Sequence, residues 1–215
     1  MNCCKHCIDA EDFFDLKTAK SDLKRYTKKG PEKSTKYLIQ SISDDEIHNA
    51  DLLDIGGGIG AIPFELFTKG LASATHADAS TAYQKVCSEE ASERNLSEKF
   101  TFIHGDAVEL KDQLPMCDIV TLDRVLCCYP DVEKLIDASI SRSKRVYGIV
   151  YPRNHFFMKT GAGLINLWFR FKKSEFRTYL HDEVLVDNII KKQGFIQISH
   201  KMTFLWQSVV YRRKD

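Results

Sequence analysis

The chain has 215 residues, 43% of them hydrophobic and 28% charged, enough for one domain around a substantial core. A formal net charge of +1 argues against a dedicated nucleic-acid binder, and no apolar run approaches the roughly 20 residues of a membrane span. The N-terminus lacks a signal-peptide core, and an odd number of cysteines, seven, suggests reduced thiols and a cytoplasmic setting.

In chain order, the first feature is Cys3-Cys4-x-His6-Cys7, a weak candidate for a thiophilic metal. Four ligands in five residues would strain a tetrahedron, so the expectation is a reduced tail and no metal. Residues 11–29 read as a helix with Phe13, Phe14, Leu16, Ala19 and Leu23 on its apolar stripe. Gly30-Pro31 stops it, and Pro31 can open a second helix carrying Tyr37, Leu38 and Ile42.

From Asp51 the chain alternates strand and helix. Strands are expected near 50–55, 73–77, 100–104, 117–122 and 145–151, with helices near 60–70, 81–95, 107–113 and 131–141. That alternation specifies an α/β, doubly wound parallel sheet. Residues 153–180 form an aromatic and basic insertion, a helix follows at about 181–193, and two runs from Phe195 and Phe204 suggest a terminal antiparallel hairpin.

The first strand runs Leu52-Leu53-Asp54-Ile55 into Gly56-Gly57-Gly58-Ile59-Gly60. Gly56-x-Gly58-x-x-Ala61 fits a dinucleotide loop, whereas Asp54-x-Gly56-x-Gly58-x-Gly60 adds an acid at the strand end. That carboxylate would repel a pyrophosphate and attract the ammonium of an amino-acid ligand. Asp78 ends the second strand about twenty residues on, where an acid can receive both hydroxyls of a ribose, and Ala79 follows it. Asp106-Ala107 ends the third, an acid for an exocyclic amine and a backbone N–H for a ring, or alternatively a helix cap. Ser80 is the better cap beside Asp78.

The acidic loop and the three ordered acids resemble class I S-adenosylmethionine-dependent methyltransferases over residues 30–213. The resemblance implies a mostly parallel seven-stranded sheet with an antiparallel C-terminal strand, the Rossmann-like methyltransferase fold. It implies residues 1–45 as a Cys-rich tail and helices over the cofactor site, with Tyr26 reaching in, and a domain over 46–215. It also implies S-adenosyl-L-methionine as cofactor, leaving as S-adenosyl-L-homocysteine, with Asp54, Gly56, Gly58, Gly60, Asp78, Ala79, Asp106, Ala107 and Asp123 among its contacts.

The fourth strand leads into Asp123-Arg124-Val125-Leu126-Cys127-Cys128-Tyr129-Pro130, a layout similar to the magnesium-protoporphyrin O-methyltransferase group. The Asn/Asp-Pro-Pro-aromatic motif of base-flipping enzymes is missing, which argues against such an enzyme, and the resemblance of Asp123-x-x-x-x-x-Tyr129 to methyltransferases of small molecules implies a small-molecule acceptor. The histidine common in this stretch of small-molecule methyltransferases is also missing, with Cys127-Cys128 in its place. Catalytic candidates are Asp123, Tyr129 and His155, with His181 more plausibly a cap or surface residue. Arg153 and Trp168 are substrate candidates. The basic, aromatic stretch 153–173 is a lid, a candidate membrane-surface contact, or ordinary packing. Two other functions compete with the transferase: an NAD(P)-dependent oxidoreductase, and an inactive membrane- or metal-associated binding protein of the same fold.

Overall fold

The computed structural model describes residues 14–172, 174 and 176–214. Seven strands form one sheet: β1 (Asp51–Ile55), β2 (Ser73–Asp78), β3 (Phe100–His104), β4 (Cys117–Asp123), β5 (Ser143–Pro152), β6 (Phe195–Met202) and β7 (Trp206–Arg213). Their order is β3-β2-β1-β4-β5-β7-β6. β1 to β5 pair in parallel, while β7 runs antiparallel to both β5 and β6, so the terminal hairpin inserts its second strand between its first and the parallel sheet.

The central strands β1, β4 and β5 are buried on both faces of the sheet, whereas the edge strand β6 is largely exposed. Successive residues divide between two cores with the period of two that a strand imposes. Leu52, Ile119, Val146 and Val210 enter one core with Leu38, Phe64 and Val86. Leu53, Val120, Tyr147 and Val209 enter the other with Leu135, Ile136 and Ile190. Truncating a fully buried residue such as Leu53 to Ala would cost about 2–5 kcal/mol.

The helices are α1 (Leu16–Lys29), α2 (Lys33–Ser41), α3 (Asp44–Ile47), α4 (Ala61–Phe67), α5 (Thr81–Glu93), α6 (Val132–Ile140), α7 (Phe156–Phe171) and α8 (Glu183–Lys192). α1 starts later than its apolar stripe suggests, because Asp15 takes the N-cap and accepts from the Thr18 N–H at 2.8 Å. Phe14 is thereby released from the helix to pack edge-on against Tyr83, 5.8 Å between ring centres. Gly30 closes α1 with φ of 73°.

The helix expected at 107–113 is absent: one 3-10 turn, Lys111–Gln113, stands there. The Asp106 carboxylate instead accepts from the Val108 N–H at 2.8 Å, an Asx-type turn that diverts the backbone after β3.

Candidate active site

A cavity of about 330 Å³ opens at the C-terminal ends of β1 to β4, roofed by residues of α1 and α2. Open parallel sheets bind ligands at this edge, where neighbouring connections leave to opposite faces. Gly56 has φ of 61°, and a side chain there would drive into Val125. A Cβ on Gly57 would lie 2.6 Å from Asp54 Oδ2 and 2.8 Å from the His76 ring, so the loop lies flat on the two strand ends.

Gly58 is gripped from both sides by β2. Its N–H donates to Asp78 Oδ2 at 2.9 Å, and its carbonyl accepts from His76 Nε2 at the same distance. A carbonyl can only accept, so Nε2 carries the imidazole proton. The second Asp78 oxygen accepts from the Ser80 N–H at 2.8 Å, and the Ser80 hydroxyl caps α5.

Asp54 is 1% exposed. One carboxyl oxygen accepts from the Thr121 hydroxyl at 2.7 Å, on the residue paired with it across β1 and β4. The other oxygen has no hydrogen-bond partner. Burial pushes this carboxyl up to about 8, with the Asp123 and Asp78 charges adding to the effect. Such a group is held protonated near neutrality until a cation arrives. Asp106 is also buried and faces the Tyr129 hydroxyl, which donates to it at 3.2 Å.

Residues 53–150 match the sequence family described as Methyltransferase domain. Over that segment the chain is similar to methyltransferase domains. Magnesium protoporphyrin IX methyltransferase from Synechocystis, solved with bound SAM, superposes with a TM-score of 0.72 at 17% identity, over 97% of each chain. The same enzyme with bound SAH gives 0.67 at 20% identity over 82% of this chain and 80% of that one. An O-methyltransferase family protein from Burkholderia thailandensis gives 0.67 at 12% identity, over 85% of this chain and 56% of the other. No curated protein matches the chain by sequence. At these identities the solved structures speak for the fold.

Of the residues expected at the site, Asp54, Gly56, Gly58, Asp78, Ala79, Asp106, Ala107, Asp123, Tyr129 and Tyr26 line the cavity. Gly60 does not; it N-caps α4 with φ of 80°. Tyr26 donates to Glu65 Oε1 at 2.9 Å, which turns its hydroxyl to α4 while its ring stays in the wall.

Asp123 ends β4. One oxygen accepts from the Thr35 hydroxyl at 2.5 Å, the other lies 3.6 Å from Arg124 Nε, and burial pushes the carboxyl above the usual range. Arg124 adopts φ of 63°, a left-handed conformation that costs an arginine strain. Contacts hold it there: Ser34 Oγ at 3.3 Å and the Trp206 ring, 5.1 Å from the guanidinium to the ring centre.

Besides Gly60, three expected residues stand outside the cavity lining. Arg153 caps the β6–β7 turn, donating to the Thr203 carbonyl at 3.2 Å. His155 precedes α7 and pairs its Nε2 with the Phe204 carbonyl at 3.0 Å. Trp168 is half-exposed on α7, its ring 5.2 Å from Phe169. All three follow the turn of β5 away from the acids. His181 is half-buried, with Nε2 near the carbonyls of Leu126 and Tyr129 at 2.8 and 3.1 Å, and so pins the segment after β4. Cys3, Cys4, His6 and Cys7 lie outside the described residues, among which no metal-holding cluster occurs.

Thr35, His76 and Thr121 went unrecognised from sequence. Thr121 left a readable signal, a hydroxyl in an otherwise apolar buried strand opposite an acid. Thr35 left none, because its partner is 88 residues away.

Proposed function

We propose that the protein binds S-adenosylmethionine in this cavity and transfers a methyl group to a small-molecule acceptor. One observation carries the reading: three acids at three successive strand ends, Asp54, Asp78 and Asp106, converge on one cavity under a glycine loop. The unpartnered oxygen of Asp54 suits a ligand ammonium, which would stabilise the ionised carboxylate that burial disfavours. Asp78 and Ala79 would hold the ribose, and Asp106 and Ala107 the adenine edge.

When bound, the cofactor supplies an electrophilic methyl on a sulfonium. The protein then has mainly to align an acceptor with it. Thr35, Asp123 and Arg124 form the polar wall on the β4 side of the cavity, where an acceptor would approach. Asp123 is the group placed to take a proton from an acceptor hydroxyl or amine, with Thr35 fixing its rotamer. Residues 14–45 would serve as the cover of the site, with α1 and α2 closing it. The free thiols of Cys87, Cys117, Cys127 and Cys128 suit a reducing compartment such as the cytoplasm.

The nicotinamide alternative gains no support, and the antiparallel β7 with the methyltransferase-domain match points away from it. Thermal melting tests the proposal. At about 100 times its dissociation constant, S-adenosylhomocysteine adds about 2.7 kcal/mol of stability, a rise in Tm of several degrees. No shift at millimolar S-adenosylhomocysteine would contradict the cofactor assignment.

A further inference from the structure

Helix α7 is attached to the body on one side only. Phe169 is buried against Phe176, 5.1 Å between ring centres, and the Asn166 side chain bonds both backbone groups of Thr178, at 2.7 and 2.8 Å. Large apolar side chains cover the opposite side and face solvent. At 100° per residue, Phe156, Leu167, Phe171, Leu164, Phe157 and Trp168 fall within an arc of about 120°. Phe156, Phe157 and Phe171 are 74%, 69% and 80% exposed. Phe204, at the tip of the β6–β7 turn, extends the patch through its ring contact with Phe157. Continuous apolar surface of this kind marks an interaction site.

Charge decides what covers it. From Pro152 to Ser174 the sequence contains no acid and five cations, in a chain whose net charge is only +1. Lys159 and Arg170 flank the apolar arc on one side and Lys172 on the other, all three exposed. Cations beside an outward apolar arc suit an anionic lipid surface, with rings entering the headgroup boundary and cations meeting phosphate. A two-fold pairing of this face with a second copy would instead set cation against cation. Among the described residues no helix is long and apolar enough to cross a membrane, so the contact is peripheral.

We infer that α7 and the β6–β7 turn form a docking face for anionic membrane surfaces. The face joins the cavity through Phe169 and Phe176, the latter part of the cavity wall beside Phe14. Docking requires no cofactor and stands apart from the transferase proposal.

The test is co-sedimentation of the full chain with phosphatidylcholine vesicles, with and without phosphatidylglycerol. The expected result is capture by the anionic vesicles, weakening as salt rises, with little capture by phosphatidylcholine alone. Phe157→Ser with Phe171→Ser should abolish capture while leaving the melting temperature unchanged, because both rings are exposed. Lys159→Glu with Arg170→Glu should cut the partition coefficient at least about twentyfold, at about fivefold per cation. Failure of anionic vesicles to capture the protein would overturn the inference. So would a concentration-dependent dimer that the phenylalanine variant dissolves.

Discussion

The two ends of the cavity are built differently. At the β1–β3 end, Asp54, His76 and Asp78 act on a single loop, and each group lies within about twenty-five residues of its partner loop. At the β4 end, Asp123 depends on Thr35 from α2, and Arg124 on Ser34 and on Trp206 from β7. The first end is largely a local device, with Thr121 of β4 as the distant partner of Asp54. The second is assembled by the whole fold, which leaves room for its acceptor to change while the cofactor end stays fixed.

Asp54→Asn should break the contrast most. It removes the carboxyl that can ionise against the ligand ammonium and should weaken S-adenosylhomocysteine by about 100-fold or more, equivalent to about 3 kcal/mol, measurable by calorimetry. The same variant should stabilise the empty protein at higher pH. The sign follows from the raised native pKa: the folded state holds the Asp54 proton more tightly than the unfolded chain, whose value is near 3.8. Asp54 therefore costs stability progressively as pH climbs from about 4 through about 8. The Tm difference, variant minus parent, should grow over that window in melts of ligand-free protein. A flat difference would mean that Asp54 is ionised at little cost.

Asp78→Ala should come next, weakening S-adenosylhomocysteine about tenfold to 100-fold while the protein stays folded. Unchanged affinity would remove Asp78 from the site. Tyr129→Phe deletes one long hydrogen bond to Asp106 and should cost only several-fold in affinity. Thr35→Val sharpens the comparison from the other side. It should leave S-adenosylhomocysteine affinity within about threefold, because it touches the β4 end alone.

Much of the fold was legible because β1 to β4 are short runs that each lead into a glycine or end on an acid. Asp54, Asp78 and Asp106 could be placed on the cavity by counting from those ends. Arg153, His155 and Trp168 could not, because sequence proximity to the end of β5 says nothing of how the chain turns afterwards. There the Arg153 guanidinium and the His155 ring take carbonyls of the β6–β7 turn, some fifty residues on. The short 107–113 segment misled for a local reason: an Asp106 carboxylate satisfied by the Val108 N–H competes with a helical turn.

The central claim is that the acids select the ligand, and calorimetry of the purified protein tests it most directly. Titrated at neutral pH in buffers of different ionisation enthalpy, S-adenosylhomocysteine should bind at micromolar concentrations with release of a proton, as its ammonium drives ionisation of Asp54. NAD should give no binding heat. Tight NAD binding with no heat from S-adenosylhomocysteine would contradict the account.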